Sequence, residues 1–305
     1  MKRLFVSIFL LILLLIGVFF IARTMNPLQT RQSRLTVMTS FYPLYFFASQ
    51  IAGDKATVYS ITPAGAEPHD YEPTAQDIAR IEDSKLLILN GGKLEAWGDT
   101  IRDTLKGTQT AVLSVGDVFT DRNVIANEAI ILDPHVWLDP LLAKKEADAI
   151  AKELARIDPT NALYYEHNLG VLKARLDNLD KEYRVILAQC AKKDIITSHA
   201  AFGYLTREYG LTQVSISGLS PDEEPSPQKL AQVADFAKKN GITYIFFESL
   251  VSPKLSETIA REVGIKTLVL NPIEGLSDEE IAQGKNYLTE MEHNLTNLTI
   301  ALQCQ

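Results

Sequence analysis

Five histidines are spread along this 305-residue chain, at positions 69, 135, 167, 199 and 293, and three of them share a setting that suits metal ligation. Neutral imidazole binds zinc at ~2.0 Å, and a closed zinc site takes about four donors in a tetrahedron. His69 follows an apolar run through Thr62-Pro63-Ala64-Gly65-Ala66-Glu67-Pro68. His135 lies in Asp133-Pro134-His135-Val136-Trp137-Leu138-Asp139-Pro140, and His199 directly ends the run 194–197. The ends of parallel strands are where open α/β sheets place ligands. His167, in Glu166-His167-Asn168, and His293, in a polar C-terminal helix, are expected to be solvated. One such histidine alone is more often a loop residue bonded to its neighbours, but three at equivalent positions support one another. Glu274, in Leu270-Asn271-Pro272-Ile273-Glu274-Gly275-Leu276, is either a fourth donor or a solvated loop acid. Three imidazoles and one carboxylate favour zinc over manganese, which prefers more oxygen.

Ligating imidazoles usually donate their other N–H to a carboxylate or carbonyl. The acids nearest the expected cleft are Asp70, Glu72 and Glu248. Each has an ordinary alternative, a turn or cap for Asp70 and a lysine partner for Glu248. Glu248 has the better claim because it ends a strand in the same layer as His199.

Short β-branched runs at 35–39, 57–62, 86–89, 111–113, 194–197, 214–216, 243–247 and 267–270 read as strands, alternating with helical patterns. Ser226-Pro227, Ser252-Pro253, Asp139-Pro140 and Asp158-Pro159 each offer an N-cap followed by proline at the first helical position. Ser277 with Glu280 forms a capping box, and Gly241 and Gly264 sit where C′ glycines belong. This is an α/β plan with mostly parallel strands. Between Asp158 and Cys190 there is no strand signal. Tyr165, Leu169, Leu172, Leu176, Leu179, Tyr183, Ile186 and Cys190 recur on one helix face. The expected helix, about 45 Å long at ~1.5 Å per residue, reads as a rigid strut joining two lobes. The competing reading is a coiled-coil dimerisation helix; the strut is preferred because an α/β unit lies on each side, and a monomer is expected. The predicted organisation is a leader at 1–23, a linker at 24–34, an N-terminal lobe at 35–157, the connecting helix at 158–190 and a C-terminal lobe at 191–305.

Lys2 and Arg3 precede an uncharged apolar run at 4–22 that ends at Arg23. The run is long enough to span a hydrocarbon core and lacks a clear small-x-small cleavage site, so an uncleaved anchor is preferred over a signal peptide. Either places the rest of the chain outside the cytoplasm. Residues 1–23 hold three cations and no acid, so the remainder carries −11 where the whole carries −8. So acidic a chain is a poor partner for nucleic acid and suits the attraction of cations. The two cysteines, Cys190 and Cys304, lie far from the leader, so neither is placed to carry a lipid there; whether they pair stays open.

The segments Gly65-Ala66-Glu67-Pro68-His69-Asp70-Tyr71-Glu72-Pro73, Asp133 to Pro140, Ser198-His199-Ala200-Ala201-Phe202-Gly203-Tyr204, Phe247-Glu248-Ser249 and Asn271-Pro272-Ile273-Glu274 carry a family resemblance. From about Leu35 to the C-terminus the chain resembles the metal-specific substrate-binding proteins of ABC transporters, in the zinc and manganese cluster of ZnuA-like, TroA-like and adhesin-type proteins. The resemblance implies two (β/α) lobes joined by one long helix, with the metal in the cleft between them. It also implies His69, His135 and His199 as ligands and a permease in the cytoplasmic membrane as partner. The position often held by a ligating aspartate is Asn271 here, so the fourth role passes to Glu274. Many zinc members carry a His- and acid-rich loop before the second histidine; this chain has only the stretch 121–131 there.

A zinc hydrolase is the alternative from another class, with water at the open position. The chain has no His-Glu-x-x-His helix, no nucleophile motif and no Gly-rich phosphate loop. A metal-binding adhesin is a third reading, which an exposed apolar patch outside the cleft would favour. The reading adopted is a non-enzymatic, extracytoplasmic zinc-binding protein that delivers its ion to an ABC permease, with manganese delivery as the variant.

Overall fold

Four short apolar runs near the N-terminus pair in parallel. The computed structural model describes residues 34–119, 123–126 and 129–305, so the leader expected at 1–23 lies outside the described residues. The chain runs β1 (Leu35–Thr39), α1 (Tyr42–Ala52), β2 (Ala56–Ser60), α2 (Ala75–Glu82), β3 (Leu86–Leu89), α3 (Gly98–Thr104) and β4 (Ala111–Ser114), and the strands form one sheet in the order β2-β1-β3-β4. Val37 lies opposite both Val58 and Leu86. The run Leu86-Leu87-Ile88-Leu89 is apolar throughout because both faces are covered. Leu86 and Ile88 enter the main core, while Leu87 and Leu89 pack with Met38, Ile81 and Trp97 on the other face.

β5 (Asn123–Ala126) and β6 (Ala129–Leu132) form an antiparallel pair. The strand runs read from the sequence did not include this pair. Two four-residue strands are too short to display a period, and the pairing of one with the other supplies what their length cannot.

Asp139 starts α4 (Pro140–Ile157) as expected, its Oδ1 accepting the Leu141 N–H at 2.8 Å. Asp158 does not act this way. Its Oδ2 accepts the Tyr165 hydroxyl and the Asn161 amide, both at 2.7 Å, and the chain passes through a 3-10 turn at Pro159–Asn161 before α5 (Ala162–Ala188). α5 has 27 residues, about 40 Å of helix. Tyr165, Leu172, Leu176, Leu179, Tyr183 and Leu187 are buried along it, packed within the chain against α1 and α4 and the C-terminal helix. The apolar stripe therefore has its cover inside the chain.

The second half runs β7 (Asp194–Thr197), α6 (Gly203–Glu208), β8 (Thr212–Ser215), α7 (Pro227–Lys239), β9 (Tyr244–Phe247), α8 (Lys254–Val263), β10 (Lys266–Val269), α9 (Asp278–Ala282) and α10 (Tyr287–Leu302). β7 pairs with β8 and β9 with β10, both parallel, and β7 lies beside β9. Ser226 caps α7 through Lys229 N, and Ser277 with Glu280 forms the expected capping box. Ser252 does not cap; Pro253 already has helical backbone angles and α8 starts at Lys254. Gly241 and Gly264 take the left-handed conformation expected of them, at φ 58° and 77°.

A disulfide joins Cys190, just past α5, to Cys304, just past α10, closing a separation of 114 residues. The main apolar cluster is continuous from Val37 and Phe47 through α4 and α5 to Phe202, Phe246, Leu270 and Leu298. The architecture is the expected α/β fold: two lobes with parallel sheets, a long connecting helix and a His/Glu cluster in the cleft. Among the described residues no helix is long and apolar enough to cross a membrane.

Candidate metal centre

Each of the three histidines follows a strand or hairpin and is held by a carboxylate through its own main chain. Glu67 and Asp133 stand two residues before His69 and His135 in the same acid-Pro-His order. Glu67 Oε1 accepts the His69 N–H at 3.2 Å, and Asp133 Oδ1 accepts the His135 N–H at 3.0 Å. Short acids close such turns by bonding the backbone two residues on. His199, after β7, has its N–H bound by Glu248 Oε1 at 3.1 Å, from the end of β9.

The same carboxylates orient two of the rings. His135 Nδ1 meets Asp133 Oδ1 at 2.8 Å, and His199 Nδ1 meets Glu248 Oε1 at 2.7 Å. With Nδ1 protonated for these bonds, both Nε2 lone pairs face inward, only 3.2 Å apart. Glu274 Oε1 then lies 3.3 Å from His69 Nε2, 3.3 Å from His135 Nε2 and 3.4 Å from His199 Nε2. Four donors ~2.0–2.1 Å from one zinc at tetrahedral corners are about 3.3–3.4 Å apart. The observed edges match that spacing. Lone pairs converging this closely repel unless a cation or a proton lies among them.

His135, His199 and Glu274 are buried, and His69 is half-buried. Burial disfavours a charged His135, but the hydrogen bonds that its ring donates to Asp133 and Glu274 when protonated outweigh it and raise its pKa. His199 is raised well above the ordinary imidazole value for the same reason, burial being outweighed by the charges of Glu248 and Glu274. Burial alone would push Glu274 up; the His199 charge and the hydrogen bonds from the three rings hold it well below the carboxylate range. A donor set that attracts protons this strongly is ready for a divalent cation in their place.

Further contacts lock the loops. Asn90 Nδ2 donates to Pro134 O at 3.0 Å, and Asn90 and Gly91 give their N–H groups to buried Glu95 at 2.7 and 3.0 Å. Trp137 Nε1 donates to Pro272 O at 2.7 Å, tying the His135 loop to the Glu274 loop, and the Tyr287 hydroxyl donates to Trp137 O at 2.5 Å. Gly65 N donates to Leu276 O at 3.0 Å, joining the His69 loop to the same segment. Gly203 leaves room for the Asp133 carboxylate, since an added Cβ would lie 2.9 Å from Asp133 Oδ2 and one of the two would have to shift.

The structure thus brings His69, His135, His199 and Glu274 together, with Glu248 on a ring. Asp70 and Glu72 are exposed and bond to none of the rings. Asp70 instead lies beside Asp222, where the close approach of its carboxylate, with burial, pushes the Asp222 carboxyl up to about 6. Asp133 and Glu67 are the residues the sequence reading missed. Burial, with the Glu274 charge, pushes the Glu67 carboxyl up to about 9. The repeated acid-Pro-His order was the signal that could have found both.

The family described as "Zinc-uptake complex component A periplasmic" matches residues 37–301. The chain is 40% identical over 290 residues to the high-affinity zinc uptake system protein ZnuA of Bacillus subtilis, covering 92% of this chain and 91% of that protein. It is 40% identical over 276 residues to the zinc-binding lipoprotein AdcA of Streptococcus pneumoniae, covering 87% of this chain and 55% of that longer protein. The crystal structure of the Zn(II)-bound ZnuA-like domain of Streptococcus pneumoniae AdcA superposes with a TM-score of 0.78 at 40% identity, over 88% of this chain and 99% of the domain. By the extent of these matches, and with its four converging donors in the cleft, the chain belongs to the ZnuA family of periplasmic zinc-uptake components, which are not enzymes.

Proposed function

We propose that this protein captures zinc outside the cytoplasm and delivers it to an ABC permease in the cytoplasmic membrane. His69, His135 and His199 supply Nε2 and Glu274 supplies Oε1; Asp133 and Glu248 fix the rings of His135 and His199. The observation that carries the assignment is the set of 3.2–3.4 Å edges among these four atoms. The nitrogen-rich set disfavours manganese. The working boundaries are lobes at 35–157 and 191–305 about a connecting helix at 158–190, with residues 1–23 as the membrane tether and the chain acting as a monomer.

Residues 24–305, stripped of metal, are titrated with zinc and with manganese by calorimetry, alongside His199→Ala. One tight equivalent of zinc, weaker manganese and loss of tight binding in the variant are expected. Equal affinity for both ions, or an unaffected variant, would refute the three-histidine zinc site.

A further inference from the structure

Glu274 stands on a segment whose backbone would not hold it in place unaided. Ile273 has φ 58°, the left-handed region that a β-branched residue rarely enters. Such a conformation persists only where the surroundings over-determine it. The surroundings here are two side chains of α10. Asn294 Oδ1 accepts the Asn271 N–H at 2.8 Å while Asn294 Nδ2 donates to Asn271 O at 2.6 Å, so one amide takes both main-chain groups of one residue. Glu290, one turn earlier on the same face, accepts from Asn271 Nδ2 at 3.2 Å through Oε2. Asn271 Oδ1 in turn accepts the Ile273 N–H at 2.8 Å, closing the turn that carries Ile273 into its left-handed state. Asn271, Glu290 and Asn294 are all buried.

We propose that Asn294, with Glu290, acts through Asn271 as a latch that positions Glu274 as the fourth zinc ligand, so that zinc affinity depends on α10 although α10 contributes no donor. The assignment rests on the reading of Glu274 as a ligand. The hydrogen bonds of the two asparagines run to each other, to Glu290 and to the main chain of Ile273 rather than to any of the four donor atoms, and both are positioning residues. Opening the latch frees Ile273 to return to ordinary backbone angles, which turns Glu274 away and leaves three imidazoles, a weaker site from which the ion can leave. Asn297 provides the comparison within the same helix. Its Nδ2 donates to Val269 O at 2.8 Å, anchoring α10 to the end of β10 without touching the loop.

The test uses the full chain, stripped of metal, with zinc affinity measured by chelator competition and the ligand field read from the visible spectrum of the cobalt(II) form. Four variants are compared: Asn294→Ala, Glu274→Ala, the double variant, and Asn297→Ala. Outer contacts of metal ligands are typically worth about 10–100-fold in affinity. Asn294→Ala is expected to weaken zinc by that factor and to shift the cobalt spectrum to that of Glu274→Ala. The double variant should bind no more weakly than Glu274→Ala, and Asn297→Ala should keep affinity and spectrum. If Asn294→Ala does not fold by circular dichroism, Asn294→Asp, which still accepts from Asn271 N but cannot donate to Asn271 O, should show a smaller loss in the same direction. Unchanged affinity in the Asn294 variants while Glu274→Ala is weakened would overturn the latch. So would equal losses in both backgrounds, or a wild-type cobalt spectrum in Asn294→Ala. Wild-type affinity in Glu274→Ala would instead overturn the ligand assignment itself.

Discussion

Two imidazoles are locked by short carboxylate bonds with their Nε2 atoms pointing at each other, and much of the site's behaviour follows from that. Zinc needs the neutral rings, whereas the metal-free site favours the charged ones. Because the pKa values of His135 and His199 are raised, zinc affinity should fall with decreasing pH, beginning above the ordinary imidazole range near ~6.5. Affinity measured at constant ionic strength from pH 8.5 to 5.5 checks this, and a flat profile would contradict histidine ligation. Stability of the metal-free chain runs the other way. The raised His199 contributes stability in full below its unfolded pKa, and loses it as pH rises through the folded value. Glu274, held low, contributes above its unfolded pKa and loses that contribution only when pH falls through its depressed folded value. These are two accounts of one set of contacts and do not add. Asp133→Ala removes the partner of both His135 N and Nδ1, so zinc affinity should drop by about 10–100-fold, measured by chelator competition.

At the scale of elements, the site depends on close approach between segments far apart in the chain. Gly203 opens α6 against Asp133, with 2.9 Å between its virtual Cβ and Asp133 Oδ2. Alanine is a better helix former than glycine, so Gly203→Ala should leave helicity intact while displacing Asp133 and weakening zinc; unchanged affinity would mean that the carboxylate has room to move. Trp137→Phe keeps most of the apolar packing but leaves Pro272 O buried without its donor. The expected cost is about 1–3 kcal/mol, read from denaturant unfolding of the metal-free protein. The acid-Pro-His turns belong to this scale too. The same local chemistry, a carboxylate bonding the N–H two residues on, delivers both His69 and His135 although they stand far apart in the sequence.

Over the whole molecule, an apolar cluster running through both lobes and a 27-residue helix packed along it oppose wide hinge motion. Scattering profiles of metal-free and zinc-loaded protein should differ little, and a large compaction on binding would show that the shared core yields. The disulfide lies just past the C-terminal ends of α5 and α10, and the hydrogen bonds that its cysteines donate run to Ile186, Leu187 and Thr299. Replacing Cys190 and Cys304 by alanine should therefore lower stability by about 2–5 kcal/mol with zinc affinity retained. Saturating zinc should offset part of that loss, about 2.7 kcal/mol at a hundredfold excess over Kd.

Strand and helix order was legible in the chain because short β-branched and apolar runs and stripes of period 3.6 record local burial, and because Asp139, Ser226 and Ser277 announce helix starts through their own side chains. His69 and His199 were legible because each follows a strand or its turn in sequence, where a ligand site must be, and His135 because its segment from Asp133 to Pro140 carries the family resemblance. What no local pattern carried were relations between distant segments. The role of Glu248 depended on β9 lying beside β7, the pairing of Cys190 with Cys304 on α10 returning along α5, and the β5–β6 hairpin on a partner strand. Asp70 and Glu72 were named where Asp133 and Glu67 hold the histidines, since linear distance from a histidine says nothing about which way a carboxylate points. That direction, and with it the approach of Glu274 to all three rings at 3.3–3.4 Å and of His135 to His199 at 3.2 Å, was decided only by the tertiary structure, because hydrogen bonds and ligand geometry depend on angstrom distances that folding alone creates.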